Sequence, residues 1–239
     1  LDHELSICDH YIAWGKGGFF NKKNVVLPIN KSTKNTPIKN KIKQTDILLV
    51  LDSHNRFIVS ATSDSSEAAY GSYVANQRLF ISLIDKDIIQ NLKIRPNKNS
   101  NIIRWCKSFD IGGNHPIDKR SSFITSLKNS RLIVISANQT TFLQALAMDI
   151  PTIAFWDIDQ NMLNKDSQSD YQSLYDIGIL HNSPELAAKH LNENWHKIEI
   201  WWNTPELQII KNEFCRKFSY TSTDNDKDSQ WAAFFKKFN

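Results

Sequence analysis

The sequence predicts an α/β fold: a Rossmann-like parallel sheet with flanking helices, followed by further C-terminal helices. Three observations lead there. Runs of strand length that are apolar almost throughout, Ile47 to Leu51, Leu132 to Ile135 and Thr152 to Trp156, fit strands buried on both faces. Segments with helical spacing lie between and after them, at residues 66–90, 140–148 and around 168–177. The alternation of the two is the pattern of a parallel sheet with its crossovers packed on both sides.

Taken in order, residues 1–30 read as a short helix or turn, the segment Tyr11 to Trp14, a glycine-rich turn at Gly15, Lys16, Gly17 and Gly18, and a strand at Val25 to Pro28. Residues 31–45 form a polar linker carrying Lys31, Lys34, Lys39, Lys41 and Lys43. The plain reading of these lysines is solvation; the alternative is a patch that meets anionic lipid or a phosphorylated acceptor. At Asp46 the texture changes to the first buried strand. The helix at 66–90 places Tyr73, Leu79, Phe80, Leu83 and Ile84 near one stripe. Leu92 to Arg95 is a short strand closed by Pro96, followed by a small element at Ile102 to Phe109 and a turn at Gly112 to Pro116. Ser121 and Ser122 are placed to cap a helix through Leu127. Beyond the sheet, Pro184 opens a helix expected to run through Leu191, Trp195 and Ile198 to Trp202, and Pro205 opens another through Leu207, Ile210 and Phe214. The tryptophans fall at helical spacing and are expected to dock these helices on the core rather than stack on sugars. Residues 218–239 are a tail with a polar patch from Thr221 to Ser229 and a helix.

Composition narrows the classes. A chain of 239 residues with 41% hydrophobic and 23% charged residues is globular, with a core of useful size. No apolar run reaches bilayer length and no signal peptide is visible; the chain begins at Leu1 rather than Met and is read as a piece whose neighbours matter. Cys8, Cys106 and Cys215 are odd in number and far apart, which argues against a disulfide framework and for a reducing compartment. His3, Cys8, Asp9 and His10 match no recognised metal-ligand spacing. There is no P-loop, no Gly-x-Gly-x-x-Gly and no nucleophile elbow. Nucleic-acid binding is not expected, because the aromatics lie in apolar helical stripes while the lysines lie elsewhere.

The chemistry-bearing segment is Leu132 to Trp156. In open parallel sheets, ligands bind beyond the carboxyl ends of strands, where helix N-termini present free N–H groups. Here a strand ends in Ser136, Asn138, Gln139, Thr140 and Thr141 and a helix begins at Phe142. These groups suit a phosphate; they also suit simple capping of the helix, and the residues alone leave both readings open. Arg95, at the end of its own strand, is placed to meet a diphosphate, an Arg fork being suited to phosphate oxygens. Trp156 and Asp157 end the next strand and either border the same cleft or, for Trp156, pack in the core.

The run Ser136, Asn138, Thr140, Thr141, Phe142, Leu143, Leu146, Ala147, Ile150, Pro151, Thr152, Ile153, Phe155 and Trp156 resembles the signature of a transferase family of bacterial surface-polysaccharide gene clusters. Further matches are His3 to Ile7, Asp9 to Tyr11, Trp14 with Gly15, Gly178 with Ile179, His181, Ser183 to Glu185, Ala187 to His190, Trp195, Trp201 to Asn203 and Phe214 with Cys215. The resemblance covers nearly the whole chain and is densest over 131–217. It implies the C-terminal half of a two-domain glycosyltransferase of the GT-B type, with residues 1–30 the end of an upstream domain or its interdomain segment and 46–217 the nucleotide-sugar-binding domain. It also implies a nucleotide-sugar donor, a glycan or glycolipid acceptor, a cytoplasmic place with a peripheral contact on the inner membrane, and no bound metal or other cofactor. Ser136, Asn138, Thr140 and Thr141 match the family's loop and Arg95 its strand-end Arg; Gln139 lies within that loop. Gln144 stands where relatives resemble a Glu that contacts the donor ribose, and Asn97 with Lys98 where a His or Asp is usual. Gly15, Lys16, Gly17 and Asn97 are expected near the cleft. The base would come from the upstream domain, so none is named. The rivals are a sugar-nucleotide epimerase of the same shape, which would need a carboxylate pair, and a non-catalytic nucleotide- or glycan-binding module, which Gln144 would favour.

Overall fold

The computed structural model describes residues 2–15, 22–28, 45–52, 67–96, 117–120, 122–156, 165–222 and 224–237. The Lys31 to Lys43 linker, the element at Ile102 to Phe109, the turn at Gly112 to Pro116, and Lys16, Gly17, Asn97, Cys106, Ser121 and Asp157 lie outside the described residues.

The apolar runs become the strands of one sheet. It contains β3 (Ile47–Val50), β4 (Leu92–Arg95), β5 (Leu132–Ile135), β6 (Thr152–Phe155) and β7 (Leu180–His181), all parallel, in the order β4-β3-β5-β6-β7. Every residue of β3, β5 and β6 is buried, as strands covered on both faces require. Among the described strands of this sheet, β7 is the one the sequence reading did not place. It is two residues long, too short to carry a period of its own.

Alternation sends the side chains of each strand to two cores. On one face Ile47, Leu49, Leu132, Val134, Ile153 and Phe155 meet α2 (Glu67–Ser82) and α6 (Pro184–Asn194). On the other, Leu48, Val50, Ile133, Ile135 and Ala154 meet α3 (Phe123–Lys128), α4 (Thr140–Ala147), α5 (Lys165–Asp176) and α8 (Pro205–Phe218). The fold is therefore a three-layer α/β sandwich, as expected. Among the described residues no helix is long and apolar enough to cross a membrane.

Two helices differ from the periodic reading. The buried face of α2 is Tyr73, Val74, Gln77, Phe80 and Ile81, continued by Ile84, while Leu79 is 36% and Leu83 41% exposed. The spacing of three and four from Tyr73 passes through Gln77 and Phe80, so Leu79 and Leu83 fall off the stripe. The segment from Pro184 to Trp202 is also not one helix. It breaks after Asn194, whose side-chain amide donates to the His190 carbonyl at 2.9 Å; a 3₁₀ turn (Trp195–Lys197) follows, then α7 (Ile198–Trp202). The break lets Trp195 and Ile198 fill one core and Trp202 the other. All three tryptophans dock on the core as predicted, Trp201 donating to the Ile177 carbonyl and Trp202 to the Asp149 carboxylate.

The two ends of the chain meet. Helix α1 (Asp2–Ile7) precedes a parallel pair, β1 (Tyr11–Ala13) and β2 (Asn24–Val26). Lys23 Nζ donates to the Leu5 and Cys8 carbonyls, a cation where the helix end concentrates negative charge. The C-terminal helix α9 (Asp224–Phe235) packs here: Trp231 donates to the Pro28 carbonyl and the ring of Phe234 meets His10. At the junction, Tyr220 N–H donates to the Trp14 carbonyl, and a Cβ on Gly15 would stand 1.9 Å from the Lys217 carbonyl oxygen. Gly15 thus admits the backbone at the end of α8.

Candidate functional site: the carboxyl edge of the sheet

The strand order reverses at β3: β4 lies on one side of it and β5 on the other. In open parallel sheets such a reversal is where ligands bind, beyond the carboxyl ends of the strands, here β3 and β5. Tyr73 of α2 joins these two strand ends. The phenol oxygen accepts from the Asp52 N–H at 2.8 Å and shares a hydrogen bond of 3.1 Å with Ser136 Oγ. Burial outweighs these bonds and pushes the phenol far above its ordinary pKa of 10, so it stays protonated.

Outward from Tyr73 runs the loop from β5 into α4. Gln139 is the N-cap of α4, and its side chain makes no capping hydrogen bond. Ser136 is bonded to Tyr73, and Thr140 is already the first helical residue, so neither takes the capping role that the sequence left open. The first-turn N–H groups of α4 consequently have no side-chain cap from this position. Asn138 Oδ1 accepts from the Tyr171 hydroxyl at 3.2 Å, which fixes the loop to α5. Burial raises the Tyr171 pKa against this hydrogen bond, so it too acts as a neutral donor.

Two polar groups around this helix end are buried and unsatisfied. Thr141 Oγ1 and Trp156 Nε1 have no hydrogen-bond partner among the described residues. Gln144 is 3% exposed, on the side of α4 turned from Phe142. Trp156 is otherwise a core residue, packed edge-on to Phe142 with ring centroids 5.3 Å apart. Leaving such groups unpaired costs about 1–3 kcal/mol each, which makes their grouping at a helix N-terminus notable.

Arg95 does not join them. It lies level with Val50 and Ile135 in the sheet, and its side chain points to the α3 face, opposite to that of Ser136. Its guanidinium donates to Asp118 Oδ2 at 2.7 Å, Ser126 Oγ at 2.7 Å and the Arg120 carbonyl at 3.1 Å, and lies 5.7 Å from the centre of the Phe123 ring. Asp118 is buried, which disfavours its charge, yet the hydrogen bonds from Ser126, Arg95 and the Arg120 backbone hold its pKa below the usual carboxylate value. The expected diphosphate ligand is thus the centre of a buried ion pair that ties Asp118, Arg120 and Ser126 to the sheet.

The LIC12162 family transferase model matches residues 1–235 of the chain. The chain belongs to this transferase family. No curated protein matches the sequence. Among solved structures, the wall teichoic acid polymerase TagF is similar at a TM-score of 0.52 and 13% identity, over 98% of this chain and 58% of that one. WaaG, a glycosyltransferase involved in lipopolysaccharide biosynthesis, is similar at 0.38 and 14% identity, over 82% of this chain and 52% of that one. The first likeness shows a shared fold of the GT-B type. The chain spans less than two thirds of either structure.

In this LIC12162 family chain, several signature residues serve the fold. Gly178 adopts φ 76°, and a Cβ there would stand 2.5 Å from His190 Cε1. His190 lies between His181 and Trp201, at centroid distances of 5.0 and 4.7 Å. Gly178, His181, His190 and Trp201 are thus one packed block that seats β7 against α6 and α7. Tyr73, Asp118, Ser126 and Tyr171 were missed as site or support residues. Only Tyr73 left a signal: a phenol inside an apolar stripe must find a partner for its hydroxyl.

Tyr73→Phe removes the acceptor of the Asp52 N–H and the partner of Ser136 in one step. Urea unfolding is expected to show a loss of about 1–3 kcal/mol. An unchanged midpoint would mean that water replaces the phenol without cost.

Proposed function

We propose that this chain is the donor-binding part of a glycosyltransferase, transferring a sugar from a nucleotide-sugar to a surface-polysaccharide or lipopolysaccharide acceptor. The observation that carries this reading is the α4 N-terminus at the switch point, without a side-chain cap from Gln139 and flanked by the unsatisfied Thr141 hydroxyl and Trp156 indole N–H. Negative charge develops on the nucleoside diphosphate as it leaves. A helix N-terminus with oriented neutral donors stabilises that charge without reorganising. Ser136, Asn138, Gln139, Thr140 and Thr141 supply the phosphate contacts, and Gln144 the ribose contact. Following the sequence resemblance, the site works without a bound metal, and the base and acceptor site belong to an upstream domain of which residues 1–30 are the end or the interdomain segment. On this reading the enzyme works on the cytoplasmic face, in peripheral contact with the inner membrane.

The test is calorimetric titration of the full-length protein with UDP-, GDP-, CDP- and CMP-sugars. One nucleotide class is expected to bind saturably. Thr141→Val is expected to weaken it about tenfold or more, a hydrogen bond to a charged group contributing ~1.5–3 kcal/mol. The same variant, which replaces an unsatisfied buried hydroxyl by a methyl, should not lower the melting temperature. Binding by no nucleotide, or equal binding by the variant, would refute the donor site. Epimerised donor formed without acceptor would replace transfer by epimerisation.

A further inference from the structure

A second polar site lies away from the switch point. A cavity of about 430 Å³ runs between the last turn of α4 and one face of α8, within the size range of small-molecule sites. It meets α4 at Leu146 and Ala147, and reaches Asp149, ahead of the amino end of β6. The donor loop is at the opposite end of α4.

The lining face of α8 is a helical stripe, Gln208, Lys211, Asn212, Cys215 and Arg216, continued by Ser219 at the helix end. At 1.5 Å per residue it extends about 16 Å. Leu207, Ile210 and Phe214 on the other face of α8 pack in the core, while this stripe gives the cavity amides, an ammonium, a guanidinium and a hydroxyl.

One end of the cavity is built in advance. Asp149 is held at φ 54°, and its carboxylate accepts from Trp202 Nε1 at 2.9 Å, Lys211 Nζ at 2.5 Å and Gln208 Nε2 at 3.3 Å. Lys211 is only 3% exposed and also donates to Gln208 Oε1. The Lys211 charge is therefore answered within the wall. Arg216 is not: among the described residues no carboxylate pairs with it. Burial raises the Cys215 pKa, which keeps that part of the wall neutral. Lys211, Asp149 and Arg216 together leave one positive charge facing the cavity, beside the neutral groups of Asn212, Tyr220 and Thr221.

We propose that this cavity is an accessory site for an anionic sugar unit, its carboxylate or phosphoryl group on the Arg216 fork and its hydroxyls on Asn212 and Thr221. A guanidinium recognises both oxyanions, and the amides and hydroxyls suit a polyhydroxylated ligand rather than a bare ion. The inference does not depend on the donor site.

Calorimetric titration of the full chain with glucuronate, glucose 1-phosphate, inorganic phosphate and glucose tests it. Glucuronate or glucose 1-phosphate is expected to bind at least tenfold more tightly than glucose and than inorganic phosphate, and which of the two binds identifies the oxyanion. Arg216→Gln, an exposed substitution that leaves the core intact, should remove the advantage over glucose. Asn212→Leu should weaken the acidic sugar several-fold, and Thr141→Val should leave it unchanged. No binding of either acidic sugar, equal binding by Arg216→Gln, glucose or inorganic phosphate binding as well, or loss in Thr141→Val would each overturn the proposal.

Discussion

Arg95→Met is expected to destabilise the domain by about 3–5 kcal/mol, the usual consequence of removing one partner from a buried ion pair. Arg95 is 8% exposed, and the Asp118 side chain 2%. The substitution leaves the Asp118 carboxylate buried with weaker support and withdraws a donor from Ser126. Replacing both partners, Arg95→Met with Asp118→Leu, should restore much of the loss, because the buried pair is then gone and Arg120, the other cation beside Asp118, keeps its ion pair with Asp46. Chemical unfolding of the two single variants and the double variant measures this directly. A phosphate-binding Arg would give the reverse pattern: little change in stability, and donor affinity reduced as by Thr141→Val. Equal stability of Arg95→Met and the wild type would mean that the ion pair contributes nothing to the fold.

Acid should loosen the block around β7 before it touches the ion pair. Burial pulls His181 down to about 4, helped by the neighbouring His190; burial, and then Lys197, pulls His190 down to about 4 as well. The unfolded chain, with histidines near 6.5, binds more protons than the folded one between those values. Stability from this pair is therefore complete above pH 6.5 and is lost as pH falls toward 4. The slope reaches at most ~1.4 kcal/mol per pH unit for each proton. Asp118 has the lowered pKa of a stabilised carboxylate, so its share is lost only below the ordinary carboxylate range. Urea unfolding between pH 7 and 4.5 should show a steep fall in the wild type and a shallower one in His181→Gln/His190→Gln. Identical pH slopes in the two proteins would remove the histidines from the account.

Much of the fold was legible because a buried parallel strand announces itself. Ile47 to Val50, Leu132 to Ile135 and Thr152 to Phe155 are nearly uniform in apolarity, and the helices between them follow a regular stripe. Leu79 and Leu83 misled because hydrophobicity alone does not fix the phase of a helix; packing against β3 and β5 does. Leu180 and His181 form a strand only because Ala154 and Phe155 pair with them. The break after Asn194 is likewise a tertiary matter, since Trp195 and Trp202 must reach opposite faces of the sheet.

The site divides in the same way. The sequence by itself determined that a strand ends near Ser136, that a helix follows within residues 140–148, and that polar groups lie between them, because strand length, turn chemistry and helix spacing are local. Which of those groups face each other was decided by the ladder. Register sets Arg95, Val50 and Ile135 level, and alternation turns Arg95 to the α3 face and Ser136 to the α2 face. Asp118 then claims the guanidinium and Tyr73 claims the serine, through contacts 23 and 63 residues apart in the chain. No local pattern encodes such pairings; only strand order and register bring the partners together, and they leave the start of α4 as the open part of the site.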